Sequence, residues 1–329
     1  MTARLSAPSD LHPIILTAGE RTRSLAWEFF TSGIRNQNTR DAYARAVHDF
    51  CVWLEARSLS SIVDLQTSLV VAFAKELANN VSPSTVRQRL TGIRAFLGSL
   101  VAGGILAFNP AVAVRGPGRG DESEEQALSP EQIQRLFASF RPETLAVDDI
   151  ARQFATPVQA ELRDRALIAV IVYTFARISV VLSLKVSDVF DERHRLWIRF
   201  RRNDGKQHQV LCHPALARYL RAYLEHTGLR ETPDSFLFPV ILFRYKHGPE
   251  FGKTPVTRES AYAMIRKHAR AAVILIKVGN QMLRASGITI YLSNGGNLKN
   301  AATMASHTSL RTTQLYRHRA KRARLDKAS

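Results

Sequence analysis

Six side chains in the C-terminal half of the sequence have the types and spacing that phosphoryl chemistry needs. Arg177 stands in YTFARISVVLSL, read as an otherwise hydrophobic helix, and Arg284 in NQMLRASGITIYL with Gln281 one helical turn before it. His307 lies in MASHTSLR, at a junction between two helix-like segments, and Tyr316 closes the stretch SLRTTQLY. Lys206 directly follows Asp204-Gly205. A cation in an apolar stretch is costly to bury unpaired, so it either meets an anion or extends its head to water. Two arginines that converge on one phosphodiester can grip its non-bridging oxygens by paired hydrogen bonds and stabilise the extra charge of a pentavalent transition state. A tyrosine hydroxyl beside them can attack phosphorus without a metal and keep the bond energy in a covalent link. A histidine there can orient a phosphate oxygen or assist proton movement. Taken singly, each residue also has a plainer reading: structural ion-pair arginines, a capping or core histidine, a half-buried aromatic, an exposed turn lysine.

Composition sets the context for that chemistry. The 329 residues carry 46 Lys plus Arg against 28 Asp plus Glu, a formal charge of +18, and are 45% hydrophobic. Such a chain can build a sizeable core and still present a strong positive field, which suits a polyanionic partner such as nucleic acid. Ribosomal contacts or an anionic membrane surface fit the same arithmetic. Cys51 and Cys212 are far apart and have no ligand-like neighbours, which argues against a disulfide scaffold and a zinc site. The longest apolar stretch, ALIAVIVYTFA, is too short to span a bilayer, and MTARLSAPSD has no apolar leader region. The expectation is a soluble, cytoplasmic chain with no membrane partner.

The elements that must position these residues fall into two groups. Residues 1–20 read as a flexible N-terminal arm and 21–114 as a helical unit. In NTRDAYARAVHDFCVWLEARS, Tyr43, Val47, Phe50 and Leu54 recur at the spacing of one buried helix face. QTSLVVAFAKELANN predicts a second helix, and TVRQRLTGIRAFLGSLVAGG a third with Val86, Leu90, Ile93, Phe96 and Leu97 inward. Arg87, Arg89 and Arg94 fall on its polar faces, suited either to a phosphate backbone or to solvent. Residues 115–127, rich in Gly, Pro and charge, read as a linker; no strand precedes its glycines and no Gly-Lys-Ser/Thr follows, which excludes a phosphate-cradling loop. Residues 128–320 read as a second, mainly helical domain, opened by Ser129-Pro130 and containing a β-hairpin about Asp204-Gly205. Residues 321–329 form a basic tail. The fold class is mainly α with a small β-hairpin.

Arg177 in ARISVVLSL, Arg284 in QMLRASGITIYL, His307 in ASHTS and Tyr316 in TTQLY together resemble, in order and setting, the tyrosine recombinase (phage integrase) family. The resemblance covers nearly the whole chain beyond the arm. It implies a helical core-binding (SAM-like) domain and a mixed α+β catalytic domain closing on double-stranded DNA as a C-shaped clamp. It further implies a nucleoid-associated homo-tetramer on two DNA sites, working without metal or cofactor. Tyr316 would form a 3′-phosphotyrosyl bond while Arg177 and Arg284 hold the scissile phosphate and His307 supports them.

Departures from the family pattern accompany the match. Gln281 stands where the family usually has histidine; it can donate a hydrogen bond but cannot exchange a proton near neutrality. Asn203 falls at the place aligned with the hairpin lysine, with Lys206 across the turn as the substitute. Val180 replaces a frequent acid, and Ser306 a frequent glycine before the later histidine. Readings of another kind follow from these: a catalytically degenerate DNA-binding paralogue or relic of the same fold and, third, a type IB topoisomerase.

Overall fold

Helix starts in the first half follow the capping residues of the sequence. The computed structural model describes residues 7–118, 127–140, 158–201, 207–244 and 248–325. Among these, the Asn36 side chain accepts from the backbone N–H of Asn38 and Thr39 and opens helix α3, Gln37–Glu55. Ser82 does the same for Thr85, with Pro83 in the first turn, and opens α5, Pro83–Ala102. Helices α1, Pro13–Leu16, α2, Glu20–Thr31, and α4, Thr67–Asn80, complete this bundle. Its core contains Phe50, Phe73, Leu90, Ile93, Phe96 and Leu97. Each such side chain taken fully out of water contributes about 1.5–3 kcal/mol. Helix α3 crosses α5 closely, where a Cβ on Gly92 would stand 2.9 Å from the Tyr43 ring.

The arginines of α5 prove largely structural. Arg94 turns onto the carbonyls of Ala111 and Val114 at 3.2 and 3.0 Å, and Arg89 pairs with Asp49 at 2.8 Å. Within the expected arm of residues 1–20, Leu11, Ile14 and Ile15 are buried in the same core, and residues 1–6 lie outside the described residues. A four-residue helix is too short to show a period in sequence.

The chain divides into two compact units, Met1–Glu122 and Ser123–Ser329. Most of the expected linker, residues 119–126, lies outside the described residues. In the second unit a capping box of Ser129 and Gln132 opens α6, Pro130–Ala138. Helix α7, Val158–Thr174, is the central element: Ala166 through Ile171 are all fully buried, so it is apolar on every side. After the short α8, Ile178–Leu182, come β1, Val189–Glu192, β2, Arg195–Arg201, and β3, Gln207–Leu211, an antiparallel sheet in that order. Arg201 pairs with Gln207 at the hairpin end; residues 202–206, with Asn203, the Asp204-Gly205 turn and Lys206, lie outside the described residues. Helix α9, Pro214–Thr227, precedes a second antiparallel pair, β4, Pro239–Arg244, and β5, Gly248–Pro255. Four helices end the chain: α10, Arg258–Ala271, α11, Asn280–Ser293, α12, Leu298–Met304, and α13, Leu310–Leu325. Strands β1, β4 and β5 were not anticipated, because short apolar runs such as PVILF carry no period that separates strand from helix. Among the described residues, no helix is long and apolar enough to cross a membrane.

Helix α11 lies hard against α7. A Cβ on Gly287 would fall 2.0 Å from the Val172 carbonyl oxygen, so only glycine permits this approach. One residue earlier, the buried Ser286 hydroxyl donates to Met282 O and accepts from Leu128 N, both at 2.7 Å, tying the entry of α6 to α11. Gly287→Ala, which raises helix propensity, should nevertheless destabilise this unit by about 2–3 kcal/mol through overpacking. Urea unfolding monitored by circular dichroism checks this; unchanged or raised stability would contradict the close crossing.

Candidate active site

Arg284 sits on the face of α11 that turns away from solvent and is only 3% exposed. Its Nη1 donates to Phe175 O at 2.6 Å, and its Nη2 to Ala305 O at 2.7 Å and to His307 Nε2 at 2.8 Å. Both carbonyls are presented by left-handed turns. Phe175 itself has φ +59°, just past the end of α7, and Ala305 precedes Ser306 at φ +49°. At Ser306 the end of α12 closes as a Schellman motif: Ser306 N bonds Thr303 O at 3.0 Å and His307 N bonds Ala302 O at 2.9 Å. Left-handed conformation at a non-glycine residue costs about 1–2 kcal/mol. Here it aims carbonyl oxygens at a cation that burial would otherwise leave exposed to an apolar surrounding.

Arg177 is placed differently from the sequence expectation of a helix interior. Helix α7 stops at Thr174, and Arg177 is the N-cap residue of α8, with extended backbone and an exposed side chain. The break at Phe175 frees Arg177 from the buried helix and lets it line a cleft of about 310 Å³ together with Arg284. Phe200 and Arg201 from β2 and His208 from β3 also face this cleft. Val180 lines it on the α8 side, an apolar residue where an acid would compete with phosphate for the arginines.

His307 joins this cleft to the tyrosine. Its Nδ1 lies 2.8 Å from the Thr313 hydroxyl, and its ring stacks on Tyr316 at 6.0 Å between centroids and 12° between planes. Burial, followed by the charges of Arg284 and Arg177, lowers its pKa to about 4. The imidazole is therefore neutral across the neutral range. Tyr316 is 5% exposed and packs with Phe175, Ala285, Ile288, Ala301 and Ala305; the three alanines, on α11 and at the end of α12, admit the ring.

Of the residues singled out in sequence, Arg177, Arg284, His307 and Tyr316 thus meet in one region. Gln281 is exposed in the first turn of α11, on the same side of the helix as Arg284. Lys206 lies outside the described residues. Sequence reasoning missed Thr313, Phe175 and His208. The signal for Thr313 was only its place one turn before Tyr316, and nothing in the sequence marks a phenylalanine for its carbonyl. Among the described residues no group of three or more His, Cys, Asp or Glu could hold a metal ion.

Chemically, the cleft offers two guanidinium groups to one anion, with a phenol linked to them through a neutral imidazole. Comparison with known proteins bears on both family and fold. The SAM-like N-terminal domain of phage integrases matches residues 31–104, and the phage integrase family itself matches residues 128–323. Tyrosine recombinase XerD of Corynebacterium glutamicum is 28% identical over 290 residues, covering 85% of this chain and 87% of that protein. XerD of Pseudomonas aeruginosa is 28% identical over 293 residues, covering 88% of each. Among solved structures, XerH recombinase in a post-cleavage complex with its palindromic difH substrate superposes with a TM-score of 0.70 at 17% identity, covering 97% of both chains. A lambda integrase tetramer bound to a Holliday junction gives 0.65 at 13% identity, covering 90% of this chain and 76% of the other. A match running over more than half of the chain, and taking in both arginines, the histidine and the tyrosine, places this protein in the phage integrase family of tyrosine recombinases.

Proposed function

We propose that this protein breaks and rejoins double-stranded DNA at specific sites, with Tyr316 as the nucleophile. The observation that carries the reading is the shared cleft of Arg177 and Arg284, joined to Tyr316 through His307. The phenol of Tyr316 gives up its proton to water as its oxygen bonds to phosphorus and the bond from phosphorus to the 5′ oxygen breaks, leaving a 3′-phosphotyrosyl link. The departing 5′ oxygen takes up a proton, for which Lys206 is the candidate donor. Arg177 and Arg284 neutralise the phosphate and stabilise the charge that builds on its oxygens. Gln281, one turn before Arg284, donates a further hydrogen bond to a phosphate oxygen. Attack of a 5′-hydroxyl from a second strand reverses the link, so no energy source is consumed. No cofactor is part of this scheme.

The related lambda integrase assembles as a tetramer on a Holliday junction. We extend that state to this chain, as a homo-tetramer on two DNA sites in the cytoplasm, associated with the nucleoid. Residues 21–114 serve as the core-binding domain and 128–320 as the catalytic domain, with the basic tail beyond. The formal charge of +18 supports a phosphate-rich partner.

A nicked suicide substrate tests the reading. The wild-type protein should accumulate a covalent protein–DNA adduct that Tyr316→Phe cannot form, in EDTA as well as without it. Arg177→Ala should cut adduct formation by about 10²–10³-fold while leaving salt-dependent DNA binding largely intact. A wild-type gel shift with no adduct would instead identify a degenerate DNA-binding relative.

Protonation provides a further check. Unfolded His307 takes up a proton near the ordinary 6.5, the folded residue only near 4. Between those values the unfolded state binds more protons, so stability rises with pH in that window and is lost as pH falls through it. Unfolding midpoints in urea should therefore drop from about pH 7 to about pH 5 more steeply for the wild type than for His307→Gln. Equal slopes would remove the neutral imidazole from this account.

A further inference from the structure

The hydrogen bonds around His307 have only one consistent assignment of protons. A guanidinium group can donate but never accept, so the contact of Arg284 Nη2 with His307 Nε2 at 2.8 Å requires Nε2 to carry a lone pair. A neutral imidazole has one ring proton, which must then sit on Nδ1. Nδ1–H donates to Thr313 Oγ1 at 2.8 Å, and the threonine oxygen is the acceptor. The reverse polarity, with the hydroxyl donating to Nδ1, would leave the ring with no proton at all.

Thr313 is fully buried, three residues before Tyr316 on α13, while Arg311, Thr312, Gln314 and Leu315 are exposed. The inward stripe of this part of α13 is thus Thr313 and Tyr316, and both meet the same imidazole, one by a hydrogen bond and the other by its ring. On its far side that imidazole takes one N–H of the guanidinium that faces the cleft.

We propose that Thr313 is a positioning residue: through the fixed Nδ1–H tautomer of His307, it makes the aim of Arg284 depend on α13, the helix that carries Tyr316, being seated. With α13 in place, Thr313 holds the proton on Nδ1, Nε2 stays an acceptor, and the plane of the guanidinium is set by His307, Phe175 and Ala305 together. With α13 displaced, the ring proton can shift to Nε2, where it confronts Arg284 instead of accepting from it. The phosphate grip and the nucleophile are therefore in order together or not at all. In this arrangement His307 acts on the reaction through Arg284, with its Nε2 lone pair already used. The consequence for cleavage rests on the recombinase reading above; the tautomer does not.

The experiment uses the full-length protein, free of DNA, labelled with ¹⁵N-histidine. His307 is assigned in long-range ¹H–¹⁵N spectra by its absence from His307→Gln. The wild type should show the Nδ1–H form, Thr313→Val should lose it, and Thr313→Ser, which keeps the hydroxyl, should restore it. On the nicked substrate, Thr313→Val should form adduct about 10²-fold more slowly, as misaimed groups do, with DNA affinity and melting temperature close to wild type, and Thr313→Ser should recover most of the rate. An Nε2–H tautomer in the wild type overturns the proposal, as does a Val variant that loses the tautomer yet cleaves normally. If Thr313→Val fails to fold, the wild-type tautomer and the Ser variant still decide the matter. Absence of adduct from the wild type would sink the recombinase reading and leave the tautomer result standing on its own.

Discussion

A guanidinium buried as deeply as that of Arg284 must find acceptors, and the second unit is arranged around supplying them. Stripping a partner from a buried charge typically costs about 3–5 kcal/mol. Against that, one left-handed residue at the end of α7 and another at the end of α12, at about 1–2 kcal/mol each, are an acceptable expense. Phe175 and Ser306 occupy those conformations, and each turn delivers a carbonyl to the same side chain. The chain break at Phe175 has a second effect, because it releases Arg177 from the apolar interior of α7 to the rim of the cleft.

The choice of acceptors also matters electrostatically. Two carbonyl oxygens and a neutral imidazole are among the groups that hold Arg284. Elsewhere arginines are neutralised by carboxylates, as Arg89 is by Asp49 and Arg163 by Asp164. Those arginines hold structure together, whereas Arg177 and Arg284 line the cleft. Burial, followed by the charges of Arg284 and Arg177, keeps His307 unprotonated, so the residue that links the arginine to the tyrosine is itself uncharged.

Tight backbone approaches make this geometry stiff. Gly287 allows α11 to lie on the Val172 carbonyl, and the small side chains Ala285, Ala301 and Ala305 leave room for the Tyr316 ring between α11, α12 and α13. The first unit has its own core and uses its basic residues differently. Arg94 is spent on the carbonyls of the segment leading out of the bundle, so positive charge in a sequence is no direct measure of the charge available to a ligand.

Much of this was legible in the residues alone. The periods of α3 and α5, the cap at Ser129, and the strands flanking Asp204-Gly205 are local properties, set by spacing and by side chains that bond their own backbone. The order of Arg177, Arg284, His307 and Tyr316 likewise identified the family and the chemistry to look for. What local pattern could not contain was every feature made by contact across the chain. The buried short helix of residues 13–16, the strands β4 and β5, and the break that lifts Arg177 out of a helix all depend on packing partners far away in sequence. So does the tautomer of His307, since it is dictated by an arginine on one helix and a threonine on another. Residue types determined which groups could act on a phosphate; only the folded chain decided which atoms face each other, because hydrogen-bond polarity is settled by distance and direction between segments that sequence spacing does not encode.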